Sequence, residues 1–122
     1  MIYQVSLAAI SIGLAGNISK ASEVDVIDVV ISKSSGNQFR FAVTLKHADS
    51  GWEHYADKWE VVGADGTIYG TRVLAHPHVN EQPFTRSLNG VVIPDNVKQV
   101  IIRAGDNLGS ALGKMMTVAI PD

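Results

Sequence analysis

The chain has 122 residues, of which 46% are hydrophobic and 18% are charged, and its formal net charge is −2 at pH 7. This length allows one domain with one hydrophobic core, and the near-neutral charge, without a lysine- or arginine-rich run, argues against nucleic acid as a partner. The sequence contains no cysteine, which excludes disulfides and thiolate metal sites within it.

The N-terminal segment, residues 1–21, has the pattern of a secretory signal. Val5 to Leu14 is an apolar run that is too short to span a bilayer comfortably, and Ser19 and Ala21 supply the small side chains that a cleavage site needs. The absence of lysine and arginine before this run favours the alternative, a first β-strand or a buried helix. We expect removal of the segment, a periplasmic or secreted location, and no membrane span in residues 22–122.

Period-two alternation of apolar and polar residues dominates the remainder of the chain and predicts strands separated by turns. The clearest alternation runs from Phe39 to Lys46. An offset near Asp28 and a bulge at Asn89-Gly90 interrupt two of the others. The predicted strands are Val24–Ile31, Phe39–Lys46, His54–Val62, Thr67–Leu74, Phe84–Ile93, Val97–Ala104 and Lys114–Ile120.

Seven short strands with regular turns predict an all-β fold, an immunoglobulin- or fibronectin-III-like antiparallel β-sandwich that forms a single domain over residues 22–122. Trp59 lies on the third predicted strand, where immunoglobulin domains bury a tryptophan. The cysteine pair of those domains and the tyrosine of their sixth strand are absent here. A small open barrel is the alternative with the same strand spacing.

Two tracts, GWEHYADKW at residues 51–59 and HPHVNEQPFTR at residues 76–86, resemble small exported bacterial proteins of uncharacterised function with an immunoglobulin-like sandwich. The resemblance implies export and the fold class. It implies no activity.

All four histidines fall between His47 and His78, and this is the one sign of localised chemistry in the sequence. Neutral imidazoles bind copper and zinc, usually together with a carboxylate or water. In His76-Pro77-His78 the proline holds an extended conformation that places both rings on one side of the backbone. The motif therefore predicts a two-histidine arm of a transition-metal site.

The register of the hairpin around Asp65-Gly66 decides which residues could join this arm. Either turn length brings His54 opposite Ala75 or Pro77, but on the face away from His76 and His78, so convergence requires a bulge. Asp57 shares the face of the arm, and His47 continues the inward face of the second strand. The candidate ligands for copper or zinc are His76, His78, His54, His47 and Asp57, with Glu81 as a reserve carboxylate.

A metal-free interpretation is also compatible with the sequence. The histidines could be solvated or bonded to backbone, with Asp57 paired to Arg72, and the domain would then be a metal-free protein-interaction module. Trp52, His54 and Tyr55 would form its aromatic contact patch. An enzyme is not expected, because the chain has neither a GxSxG nucleophile turn nor a phosphate-binding glycine loop.

Overall fold

A computed structural model describes residues 23–122, and it shows seven β-strands in this part of the chain. The predicted signal, residues 1–21, lies outside the described residues. The strands are β1 (Asp25–Ser35), β2 (Gln38–Lys46), β3 (Ala56–Val62), β4 (Ile68–Val73), β5 (Phe84–Val92), β6 (Gln99–Asp106) and β7 (Met116–Ala119).

The strands form two antiparallel sheets, one with the order β1-β2-β5 and the other with the order β4-β3-β6-β7. Two facing sheets joined in this way make the predicted immunoglobulin- or fibronectin-type sandwich, so the open-barrel alternative is wrong. Within residues 23–122 every regular element is a strand.

The core lies between the sheets and is built by the alternation that the sequence displays. In β2 the four odd-numbered apolar residues are at most 4% exposed, and Trp59 on β3 is fully buried. In β6 the inward residues Val100, Ile102 and Ala104 close the opposite wall. Full burial of a large apolar side chain stabilises the fold by roughly 1.5–3 kcal/mol, so this layer supplies the main driving force.

Two predicted irregularities are confirmed. The β1–β2 register shifts between Val26 and Asp28. On β5 the residues Asn89 and Gly90 form the predicted bulge. Phe41 of β2 pairs with Leu88 and Phe39 pairs with Val91, so two residues of β5 lie opposite one residue of β2. Gly90 has a φ of 67°, a conformation that glycine adopts without steric cost.

Several strand limits and one side-chain pairing differ from the prediction. Strand β3 begins at Ala56 rather than at His54, and β6 continues to Asp106 rather than ending at Ala104. The β3–β4 pairing has the register of a two-residue turn, which places Arg72 opposite Trp59. The predicted pairing of Asp57 with Arg72 is therefore wrong, and the Arg72 guanidinium donates instead to the backbone oxygen of Val73.

One end of the sandwich collects the segments that matter for function. Three connections, residues 47–55, 74–83 and 107–115, meet there together with the start of β1; we call this the loop end. All four histidines lie in these connections. Residues 23–122 include no helix of the length and apolarity that crossing a membrane requires.

Candidate metal centre

A bulge at Asp57 sets the direction of the residues that precede β3. Ala56 pairs with Asp106 while Lys58 pairs with Gly105, so Asp57 is an extra residue on β3. Ala56 and Trp59 are both fully buried although they are three residues apart, which shows that the bulge reverses the alternation. His54, two residues before Ala56, therefore lies on the inner side of the loop end.

His47 is held by a buried carboxylate two residues further along the chain. Its Nδ1 lies 2.5 Å from Oδ1 of Asp49, and both side chains are completely inaccessible to solvent. Asp49 also accepts the backbone N–H groups of Ala56 (3.1 Å) and His78 (2.8 Å). Since an ionised carboxylate only accepts hydrogen bonds, this contact favours the form of His47 that carries its proton on Nδ1.

His54 is held by a second buried carboxylate. Its Nε2 lies 2.7 Å from Oδ2 of Asp106, while Oδ1 of Asp106 accepts the N–H groups of Leu108 and Ser110. Burial alone would raise the pKa of Asp106, but the hydrogen bonds from His54, Ser110 and Leu108 outweigh it and hold that pKa below its usual range. Asp106 is therefore ionised at neutral pH and available as an anionic oxygen ligand.

The two histidine–carboxylate pairs lie side by side. The His47 and His54 rings meet edge to face with centroids 4.6 Å apart. One ligand atom from each of His47, His54 and Asp106 falls within 4.8 Å of the other two. Ligands around a tetrahedral ion at 2.0–2.2 Å are about 3.3 Å apart, so binding requires a contraction of up to about 1.5 Å. His54, whose side chain is 19% exposed, is the residue with room to move.

The predicted His76-Pro77-His78 arm does not join this group. His78 is buried and its ring stacks on Phe84 with centroids 4.0 Å apart, while His76 is exposed and lies 5.0 Å from His78, ring centroid to ring centroid. Neither ring nitrogen of His78 has a hydrogen-bond partner among the described residues. The arm is linked to the centre through its backbone, because the His78 N–H bonds Asp49 and the His78 oxygen accepts from Gln82.

The environment of His78 disfavours its charged form. Burial lowers the pKa of His78, and the positive charges of Arg86 and His76 lower it further, against the opposing influence of Glu81 and Asp49. The reserve ligand Glu81 binds the Arg86 guanidinium at 2.9 Å and is exposed. A neutral, stacked imidazole at this position acts as part of the packing.

Asp57, the remaining candidate, lies beside the centre without belonging to the three-residue group. Burial raises its pKa, Lys58 opposes this, and the negative charge of Asp106 raises the pKa further. One of its carboxylate oxygens is buried without a hydrogen-bond partner among residues 23–122. The five predicted ligands thus divide: His47 and His54 converge, whereas His76, His78 and Asp57 do not.

Sequence reasoning missed two residues of the centre, Asp49 and Asp106. Both stand in short glycine-containing segments that are typical of turns, Asp49-Ser50-Gly51 and Gly105-Asp106-Asn107. The available signal was topological: in an antiparallel β3–β6 pair, the end of β6 must lie beside the start of β3. Extending β6 by two residues would have placed Asp106 there.

The chain is 36% identical over 96 residues to a protein of Halomicrobium mukohataei named "Putative lipoprotein", and this match covers 79% of the chain but 47% of the relative. The chain therefore spans about half the length of the relative. No protein-family model matches the chain, and no solved structure matches it.

The Asp49 carboxylate generates the first prediction. Asp49→Ala removes the acceptor of three buried donors, and leaving buried donors without partners should destabilise the fold by about 3 kcal/mol or more. For a domain of this size that lowers the melting temperature by roughly 10 °C or more, measured by circular dichroism. Asp28→Ala, which removes an equal charge from an exposed position, should change the melting temperature little. Equal effects of the two substitutions would contradict the role assigned to Asp49.

The buried ring of His78 generates a second prediction. Because the folded-state pKa lies below the ordinary value of 6.5, the folded protein takes up the proton less readily than the unfolded chain. The stability that depends on neutral His78 is fully present above about pH 6.5, and it is lost as the pH falls from there through the folded-state pKa. With a chelator present, the melting temperature should fall more between pH 7 and pH 5 in the wild type and in His76→Gln than in His78→Gln. Parallel curves for all three proteins would refute the assignment.

Proposed function

We propose that this chain is an exported binding or accessory protein whose loop end holds a divalent transition-metal ion, copper or zinc, through His47, His54 and Asp106. The observation that supports the proposal is the convergence of two imidazoles from the 47–55 connection and one carboxylate from the end of β6 into a group spanning 4.8 Å. Two histidines with one carboxylate, and water at a fourth position, form a familiar ligand set for these metals.

The surroundings of the three ligands support the proposal further. Histidine ligands in metalloproteins usually donate their second ring N–H to a carboxylate or carbonyl, which fixes the ring and raises its basicity. Asp49 stands in that relation to His47. Asp106 is ionised at neutral pH, so the centre carries the negative charge that a divalent cation needs. Where both metals are available, the affinity order favours copper.

The proposed location outside the cytoplasm, periplasmic or secreted, has two sources of support. The apolar run from Val5 to Leu14, followed by small residues, has the pattern of an export signal. The relative from Halomicrobium mukohataei bears the word lipoprotein in its name.

A metal-free protein-interaction module is the second candidate. In that case the two histidine–carboxylate pairs would serve only to tie the connections of the loop end together. The observation in its favour is Trp52, a large aromatic side chain that is 66% exposed in one of these connections. We include no catalytic role in either candidate: the Ser50 hydroxyl approaches the backbone oxygen of His54 rather than its ring.

Metal titration of the full chain tests the proposal. After treatment with a chelator and its removal, Cu²⁺ or Zn²⁺ should raise the melting temperature at pH 7.5, and a metal concentration 100 times the Kd corresponds to about 2.7 kcal/mol of stabilisation. His54→Gln should abolish the rise, since glutamine can still bond Asp106 but removes the most movable ligand. His76→Gln is the matched control and should keep the rise.

The same titration contains the outcomes that would contradict the proposal. A rise that survives in His54→Gln but is lost in His76→Gln would place the metal on the His76-Pro77-His78 arm. An unchanged melting temperature in the wild type with both metals would leave the metal-free interaction module as the better account. Below about pH 6 the rise should fade, because protons compete for the imidazoles.

A further inference from the structure

The loop end carries a group of exposed apolar side chains that the metal proposal does not use. Trp52, Leu108, Leu112 and Met115 are 66%, 68%, 78% and 52% exposed, and we call these four residues the apolar tip. Single exposed apolar residues are ordinary, but four on two connections at the same end of a small domain indicate a contact surface.

The two connections that carry the apolar tip are bonded to each other. The Asn107 side chain accepts the Tyr55 N–H at 2.9 Å and donates to the backbone oxygens of Trp52 and Glu53 at 3.2 and 3.3 Å. The Trp52 ring packs edge to face on Tyr55 with centroids 5.5 Å apart. These contacts hold the backbone segments that carry Trp52 and Leu108 in a fixed position relative to each other.

The connection that carries three of the four tip residues has a low charge, whereas the other connection places the exposed Glu53 next to Trp52. Residues 107–115 contain one charged residue, Lys114, and no acidic one. A nearly uncharged segment with two leucines, a methionine and a lysine, beside an exposed tryptophan, has the composition of a surface that enters the interfacial layer of a bilayer. There tryptophan rings and lysine side chains both find favourable surroundings.

The start of the described chain points to the same occupant. The Val26 N–H bonds the Lys114 oxygen, the Lys114 N–H bonds the Asp25 carboxylate, and Gly113 lies directly against the Val24 backbone. The described chain thus begins beside Gly113 and Lys114. Ala15 to Glu23, which separate the apolar run from Val24, span at most about 30 Å when extended. Where that run stays attached as an anchor, it keeps this end of the domain within that distance of the membrane.

We infer that the apolar tip contacts the interfacial layer of a lipid bilayer, with Trp52, Leu108 and Leu112 inserted at the level of the headgroups and upper acyl chains. This inference is independent of the proposed metal centre, since it uses other side chains and needs no ion. It orients the sandwich with the loop end toward the membrane and the β1–β2 and β3–β4 turns away from it.

Tryptophan fluorescence of the full chain tests the contact, in a chelator, with phosphatidylcholine vesicles that contain brominated acyl chains. Trp59 is fully buried and Trp52 is exposed, so the lipid-dependent part of the signal reports Trp52. We expect a blue shift and quenching by brominated lipid, both lost in Trp52→Phe. Leu108→Ser with Leu112→Ser should reduce the quenching at a fixed lipid concentration by about tenfold, since each change removes apolar surface that would be buried in lipid.

Val30→Ser is the matched control, because Val30 is 59% exposed on β1 rather than at the loop end and should leave the quenching unchanged. Sedimentation with vesicles without quenching of Trp52 would mean that residues 1–22 alone bind the lipid, and would overturn the inference. A blue shift without lipid that grows with protein concentration would assign the apolar tip to a second copy of the chain, and would overturn it as well.

Discussion

The loop end of this sandwich is organised around the buried carboxylate of Asp49. Removing an ionised carboxylate from water is costly unless its oxygens are fully hydrogen-bonded. Asp49 meets that requirement with donors from three segments, the His47 ring, the Ala56 N–H and the His78 N–H, so it joins two connections to the start of β3. The same bonds that compensate for its burial fix the His47 ring. The position of the proposed metal ligand is therefore a consequence of how the connections are closed.

The second imidazole depends on a different device, the bulge at Asp57. Without the extra residue, strand alternation would direct His54 away from the interior. With it, His54 reaches Asp106 at the end of β6 and packs against His47. The sandwich thus has an apolar middle, from Trp59 to Phe41, and a polar loop end in which each of these two imidazoles is paired with a carboxylate. Ion binding and loop closure would use the same four side chains, His47, Asp49, His54 and Asp106.

Prediction from the sequence succeeded where the pattern is local. The alternation in β2 predicted correctly which side chains face the core. The Asn89-Gly90 pair predicted the β5 bulge, because a glycine inside a strand pattern is typical of a bulge. It succeeded only partly for the centre: the clustering of histidines was informative, yet their directions were not. The extra residue at the β3 bulge, Asp57, has no glycine or proline beside it in the sequence, and the contact of His54 with Asp106 joins residues 52 positions apart, so neither leaves a local signature. The His76-Pro77-His78 motif suggested a ligand arm, whereas the stacking of His78 on Phe84 makes it part of the packing.

The central claim is that Asp49 holds His47 in the Nδ1–H form and so presents Nε2 as a ligand. A long-range proton–nitrogen correlation spectrum of the imidazoles, recorded on the full chain without metal at neutral pH, observes this directly. The account predicts a proton on Nδ1 of His47 and a lone pair on Nε2, and it predicts that this pattern collapses to exchanging tautomers in Asp49→Ala. A His47 ring with its proton on Nε2 and a bare Nδ1 in the wild type would contradict it.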